Sequence, residues 1–350
     1  MSISRYHKQM LFAGIGADGQ KRLAEARVLL VGCGALGCVL ADAMVRAGVG
    51  HVRIVDRDFV ELSNLQRQIL FDEQDVADHL PKVIAAERRL RRVNSQITIE
   101  PIVADVDHTN IATLASGVSL ILDGTDNFEI RYLINDVSLE TGIPWIFTGC
   151  TGSVGQVMPI FPNHSACLRC LMQSPPPPGS TETCDTAGVL GPAVNVVASL
   201  QAAIALRILV GQRLQVEQKL SIVDVWTGSF RSIDVSQLRD QANCPACKHG
   251  ERLWLHGNQR SASTILCGRN AVQITPAEKL RLSLPELAAR LESAGSVTSN
   301  PFLVRLTVSP ASTENENDIE LTVFPDGRAI IRGTNDPSVA RSLYSRYIGT

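Results

Sequence analysis

Three glycines at the spacing G-x-G-x-x-G, Gly32, Gly34 and Gly37, follow directly on the apolar run 28–31. An apolar helical pattern then continues through Leu36, Val39, Leu40, Ala43, Met44 and Ala47. Strand, glycine turn and helix N-terminus in that order make an anion site. Gly32 permits the tight turn, Gly34 lets a phosphate approach the backbone, and Gly37 lets helix and strand pack closely. The free N–H groups of the first helical turn then face the charge. The spacing alone arises by chance in many chains, but its context strengthens it. A second apolar run, 51–55, ends at Asp56, 24 residues after Gly32, where an acidic side chain can hold a ribose hydroxyl. The chemistry expected is nucleotide binding, with a well-packed βαβ turn as the alternative.

More polar groups cluster where other strands of such a unit would end. The loop 56–68 carries Asp56, Asp58, Glu61, Ser63, Asn64, Gln66, Arg67 and Gln68, interleaved with Val60, Leu62 and Leu65. A plain solvent loop needs no apolar anchors, and ligands bind at the carboxyl ends of parallel strands. A satisfied polar loop is the plainer alternative. Pro81 takes the favoured first helical position and Lys82 follows it. A cation in a first turn opposes the helix macrodipole, a small cost that an anionic ligand would offset. A surface lysine is the alternative. The apolar run 118–122 leads into Asp123-Gly-Thr-Asp-Asn127. Asp126 could bind Mg²⁺ or simply cap the helix that follows.

Of nine cysteines, four form the pairs Cys167/Cys170 and Cys244/Cys247, each Cys-x-x-Cys. Four thiolates suit one tetrahedral Zn²⁺, and they would leave no open position for catalysis, so such a site is structural. The 73 residues between the pairs far exceed a zinc finger's gap, so the fold must bring them together. Separate buried thiols, or one redox-active pair, are the alternatives.

The elements that must position these groups alternate strand and helix up to about residue 147. That pattern predicts an α/β fold, a doubly wound Rossmann-like and mostly parallel sheet. A proline-rich excursion, 175–178, precedes a long and almost wholly apolar helix over 193–209, suited to an interface between two copies of the chain. Two further strands follow. From about residue 251 the texture changes to a small α+β appendage. The expected domains are 1–250, with the zinc-stapled extension, and 251–350, whose role is not legible. Net charge is −2 and hydrophobic content 45%, so neither nucleic acid nor membrane is expected as a partner. No apolar h-region follows Met1, which predicts a cytoplasmic protein.

Taken together, Gly32-x-Gly34-Ala35-Leu-Gly37, Asp56-x-Asp58, Ser63-Asn-Leu-Gln-Arg-Gln68, Pro81-Lys82 and Asp123-Gly-Thr-Asp-Asn127 resemble the ThiF/MoeB/HesA family. These are the bacterial relatives of ubiquitin-activating E1 enzymes. The two Cys-x-x-Cys pairs and Thr183-Cys184 before Ala187-Gly188-Val189 match as well, and the resemblance spans residues 4–250. It implies ATP-dependent adenylation of a ubiquitin-like sulfur carrier ending in Gly-Gly, of the ThiS or MoaD kind, in thiamin, molybdopterin or related biosynthesis. The carrier's carboxylate attacks the α-phosphate of ATP, pyrophosphate leaves, and an acyl-adenylate remains.

The resemblance also implies a site. Gly32, Gly34, Ala35 and Gly37 hold phosphates, Asp56 takes the ribose, and Asp58 and Asn127 belong to the nucleotide contacts. Asn64 reaches the phosphates from the loop that carries Arg67. Arg67 and Lys82 stabilise charge as the α–β bond breaks, each donor being worth roughly 3–4 kcal/mol in rate terms. Asp126 positions Mg²⁺. Relatives read Arg-Tyr-x-Arg-Gln where this chain has Arg5-Tyr-His-Lys8-Gln. Lys8 would then enter the partner subunit's site in a homodimer, with the charge kept and the guanidinium fork lost. Cys184 could form a covalent adduct with the carrier or stand by. No rhodanese module follows, so a separate sulfur donor is expected. The rival readings are an NAD-binding oxidoreductase, which shares the βαβ fingerprint, and a non-catalytic carrier-binding scaffold.

Overall fold

The computed structural model describes residues 5–175, 187–258, 264–266, 270–276, 281–308 and 319–348. Two compact units result, Met1–Arg260 and Ser261–Thr350.

The first unit opens with two short helices, α1 (His7–Leu11) and α2 (Gly16–Glu25), parted at Gly16, whose φ is +63°. The alternation then runs β1 (Arg27–Val31), α3 (Ala35–Ala47), β2 (His51–Asp56), α4 (Glu73–Ala77), α5 (Lys82–Val93), β3 (Thr98–Val103), α6 (Ile111–Leu114), β4 (Leu120–Asp123), α7 (Phe128–Thr141) and β5 (Trp145–Thr151). These five strands pair in parallel in the order β3-β2-β1-β4-β5. The order reverses between β1 and β4, the position where open α/β sheets bind ligands.

Helices cover both faces, so the strands read as continuous apolar runs. Side chains of a strand alternate between faces. Val28 and Leu30 accordingly enter the core under α3 and α5, while Leu29 and Val31 enter the core under α6 and α7.

Beyond β5 the sheet turns antiparallel. β6 (Val154–Ile160) leads to the short α8 (Leu168–Leu171) and the long α9 (Gly191–Arg207). β7 (Lys219–Asp224) and β8 (Ser229–Asp234) then complete eight strands. A one-turn helix, α10 (Leu238–Gln241), precedes the second cysteine pair.

α9 ends in a π-turn, where Gly211 takes a φ of +93°. Counted through Gln215 it is long and apolar enough to cross a membrane by length and composition, which the sequence reading did not anticipate. Here Ala193, Val194, Val197, Ala198, Ala202 and Ala205 are buried against the sheet core, which accounts for most of its apolar character.

Residues 251–258 belong to the first unit because Asp136 of α7 accepts hydrogen bonds from the N–H groups of Trp254 (3.0 Å) and Leu255 (3.4 Å).

The second unit is a six-stranded antiparallel sheet. Its strands are β9 (Thr264–Leu266), β10 (Ala271–Ile274), β11 (Ser296–Asn300), β12 (Leu303–Val308), β13 (Ile319–Val323) and β14 (Ala329–Arg332), in the order β11-β12-β13-β14-β10-β9. Helices α11 (Leu284–Leu291) and α12 (Pro337–Tyr347) bury Leu287, Leu291, Leu343 and Tyr344 with Val304, Leu306, Leu321 and Ile331. Sequence patterning, with helical patterns at 284–291 and 337–347 and apolar runs at 302–308, 319–324 and 329–331, finds both helices and three of the strands. It misses β9, β10 and β11. β11, Ser-Val-Thr-Ser-Asn, is a polar edge strand with no buried residue, so no alternation marks it.

α9 can lie this close to β6 because Gly155 has no side chain: a Cβ there would collide with Val197. Gly155→Ala should therefore destabilise the protein by roughly 1–3 kcal/mol through overpacking. Val197→Ala in the same chain should recover part of that loss, both read from urea unfolding.

Candidate active site at the rim of the parallel strands

The glycine turn joins β1 to α3, and its three glycines serve different ends. Gly32 has a φ of +90°, and a Cβ there would lie 2.7 Å from the Gly124 carbonyl oxygen. A Cβ on Gly37 would strike the Gly32 carbonyl. Gly34 instead faces open space, with nothing within 4 Å of its Cβ position. It is the N-cap of α3, and no side chain caps the helix there. Packing thus demands the outer two glycines. The middle one leaves room for an anion at the N–H groups of a 13-residue helix.

Asp56 ties this turn to the end of β2. Its Oδ2 accepts from the Cys33 N–H at 2.6 Å and its Oδ1 from the Asp58 N–H at 2.7 Å. Burial pushes its carboxyl above the ordinary value, with Lys82 opposing. Lys82 is 3% exposed and is no surface lysine. Its Nζ lies 3.0 Å from Asp58 Oδ2, and its N–H donates to the Asp58 carbonyl at 2.9 Å. Pro81 stands at the N-cap, so α5 begins one residue later than expected and Lys82 opens it. Arg57 reaches outward to Asp105 at 3.0 Å.

In the loop that follows, Val60 is buried and Leu65 packs on the core, but Leu62 is exposed and anchors nothing. Asn64 is buried, and its Oδ1 accepts from the Glu61 N–H at 3.2 Å, so that oxygen shapes the loop. Arg67 donates to the Ser63 carbonyl at 2.9 Å. The start of α9 abuts this stretch: the Cβ position of Gly191 is 3.8 Å from Arg67 Cβ.

At the end of β4 the cap is Asn127, whose Oδ1 accepts from the Glu129 N–H at 2.8 Å. Asp126 is exposed and takes no part in the capping. Two adjacent Asx residues offer the same chemistry, and sequence alone does not choose between them. Sequence reasoning also missed Arg131, whose Nε pairs with the wholly buried Asp123 at 3.0 Å. Burial pushes the Asp123 carboxyl up, with Arg131 opposing. An aspartate ending an apolar strand was the available signal, since a buried carboxylate needs a partner.

The ends of β1, β2 and β4 thus converge on one rim that carries Gly34, Asp56, Lys82 and Asp126. Lys8 does not join it within its own chain. It is exposed on α1, where its neighbour Gln9 donates to the Ala47 carbonyl at 2.8 Å, at the far end of α3 from the glycine turn. Thirteen helical residues separate the two ends by about 20 Å. Cys184 lies outside the described residues.

A second cluster sits apart, on the α7 side of the sheet. The sulfurs of Cys167, Cys170, Cys244 and Cys247 all lie within 4.8 Å of one another, with 3.8 Å for Cys167–Cys170, 3.6 Å for Cys167–Cys244 and 3.4 Å for Cys170–Cys247. Tetrahedral coordination at a Zn–S distance of about 2.3 Å requires S···S separations of about 3.8 Å. The four thiols could therefore hold a zinc ion. The Asn135 Oδ1 fixes α8 beside α7 by accepting the Leu168 N–H at 2.9 Å. Arg169 spans from Glu251 (3.1 Å) to the face of Trp254 (5.3 Å), which in turn packs on Tyr132.

The two kinds of glycine separate in a stability measurement. Gly37→Ala should cost roughly 2–4 kcal/mol, because backbone on both sides must move. Gly34→Ala should cost less than about 1 kcal/mol. Equal losses in urea unfolding would contradict this division.

Residues 6–246 match the ThiF family. Over 346 residues the chain is 42% identical to the sulfur carrier protein ThiS adenylyltransferase of Bacillus subtilis (strain 168), covering 99% of each. It is 37% identical over 250 residues to the sulfur carrier protein adenylyltransferase of Thermus thermophilus, 70% of this chain and 90% of that one. Among solved structures, E. coli MccB with ATP superposes with a TM-score of 0.60 over 71% of this chain and 74% of that chain, a likeness in fold at 22% identity. Since the matched span contains all eight strands of the sheet and the rim built on them, the chain belongs to the ThiF family.

Proposed function

We propose that this protein uses ATP to adenylate the C-terminal glycine of a ubiquitin-like sulfur carrier protein ending in Gly-Gly. What carries the reading is the end-to-end likeness to a ThiS adenylyltransferase, 99% of both chains, in a molecule whose glycine turn is open at Gly34. That likeness continues through the second unit, which favours a carrier of the ThiS type over the MoaD type.

The reaction follows from the rim. Phosphates lie at the head of α3, where Gly34 leaves space and Ala35 begins the helix. Asp56 accepts a ribose hydroxyl. Each of its oxygens accepts one backbone N–H, and a carboxylate oxygen has a second lone pair. A carboxylate oxygen of the carrier attacks the α-phosphorus. The bond from that phosphorus to the α–β bridging oxygen breaks, and the electron pair leaves with pyrophosphate. Lys82, held by Asp58, and Arg67 stabilise the charge that accumulates on the leaving group, with Asn64 and Asn127 shaping the loops around it. Asp126 would hold a Mg²⁺ ion, which supplies neutralisation of the pyrophosphate charge.

The protein works as a homodimer in this reading, and Lys8 reaches the partner subunit's nucleotide because α3 keeps it from its own. The exposed Leu11 and Phe12 beside it suit burial in such an interface. Zinc in the Cys167/Cys170/Cys244/Cys247 site is structural. Cys184 is the thiol offered to the activated carrier, a separate protein donates the sulfur, and the setting is cytoplasmic.

Carrier-dependent exchange of pyrophosphate into ATP tests the main step. Asp126→Ala should lower it at least ~100-fold, the scale on which a lost preorganised charge acts. No exchange with any Gly-Gly carrier would end the reading. Full exchange by the variant would remove Asp126 from it. Metal analysis should find one zinc per chain, and strong chelation should lower the unfolding temperature, since metal binding to a folded-state site is folding free energy. Metal-free protein of unchanged stability would rule the zinc site out.

A further inference from the structure

Between β4 and β5 the regular ladder stops after Leu122↔Ile146. Beyond it side chains join the two strands. Asp123 accepts the Thr125 N–H at 3.0 Å and the Thr148 N–H at 3.1 Å. Arg131, 5% exposed, pairs its Nε with Asp123 at 3.0 Å. Its Nη2 donates to the Thr125 carbonyl at 2.7 Å and the Thr148 carbonyl at 2.9 Å. From the opposite face Gln201 of α9 donates its Nε2 to the carbonyls of Asp123 (3.2 Å) and Ile146 (3.3 Å). The rings of Phe128 and Phe147 flank the guanidinium at 5.2 and 5.5 Å.

One buried cation therefore spans the backbone on both sides of a gap. A buried ion pair contributes little net stability compared with a well-packed apolar filling. A guanidinium held by three acceptors fixes direction instead, because its donors form a rigid planar fork. The segment fixed here is short. Gly124 is pressed against Gly32, and a Cβ on it would lie 2.6 Å from the Gly32 oxygen. Two residues further on stands the exposed Asp126.

We propose that Arg131 is a positioning residue for adenylation: through Asp123 and Thr125 it sets the 124–126 segment so that the Asp126 carboxylate stands beside the glycine turn. The proposal rests on the metal-holding role given to Asp126 above. Arg131 itself touches neither nucleotide nor carrier.

A double-mutant cycle on the full chain tests it, with Arg131→Gln, Asp126→Ala and the pair assayed for carrier-dependent exchange at high enzyme concentration across a Mg²⁺ titration. Arg131→Gln alone should slow exchange roughly 30-fold or more and raise the half-saturating Mg²⁺ at least about fivefold, with the KM for ATP nearly unchanged. In the Asp126→Ala background it should cost less than about threefold, since residues acting through one another are not additive. An equal loss in both backgrounds, or an unchanged Mg²⁺ requirement in the single variant, overturns the proposal. If Arg131→Gln does not fold, Asp123→Asn, which keeps the shape and removes the charge, takes its place with the same expectations. Wild-type protein without exchange sinks the adenylation reading and this role with it. Active wild type with an additive cycle sinks this role alone.

Discussion

Where β1 and β4 leave the sheet, backbone presses on backbone. Gly32, Gly37 and Gly124 meet at distances that no side chain could occupy. That contact lets α3 start directly over the crossing, with its uncapped N–H groups facing outward. The strand order reverses at the same place. β2 and β4 flank β1 on opposite sides, and only their separation opens a crevice above it. Any side chain in this contact would lift α3 away from the strand and close the space beside Gly34.

Around that contact the charges alternate in a chain, Asp105, Arg57, Asp58, Lys82 and Asp56, strung along the ends of β2 and β3 and the head of α5. A lysine almost without solvent would ordinarily shed its proton or move outward. Here Asp58 pairs with it at 3.0 Å and Asp56 lies nearby, its carboxylate fixed by the Cys33 and Asp58 N–H groups. The arrangement holds a cation in place before any anion arrives. Preorganised charge of this kind requires no rearrangement at the moment of reaction.

The cysteine cluster and the 244–258 segment do different work on the opposite face. Asp136, Asn135 and Tyr132 present one side of α7 to them, and the buried Cys167 and Cys244 enter the same core as Trp145 and Phe147. A metal there would join residues 77 positions apart, which limits the unfolded chain more than any local contact does. Arg131 lies one turn before Asn135 along the same helix. One helix thus braces both the staple and the gap between β4 and β5.

The glycine turn, the strand ending at Asp56, the alternation of elements and the two Cys-x-x-Cys pairs were legible in the linear chain because each is a local pattern. Turn geometry, strand burial and helix starts depend on residues a few positions apart, and the chain shows them directly. Lys82 was ambiguous, because its counter-charge Asp58 lies 24 positions away and becomes a neighbour only when β2 and α5 pack. Arg131 and Gln201 were invisible as members of one plug: Gln201 meets Asp123 across 78 positions, and nothing in an apolar helix announces a glutamine that must reach a strand end. The same holds for Asp136 and Trp254, 118 positions apart. Local stereochemistry is written into consecutive residues. Which buried polar group satisfies which is settled only when the sheet's two faces are covered and water is gone.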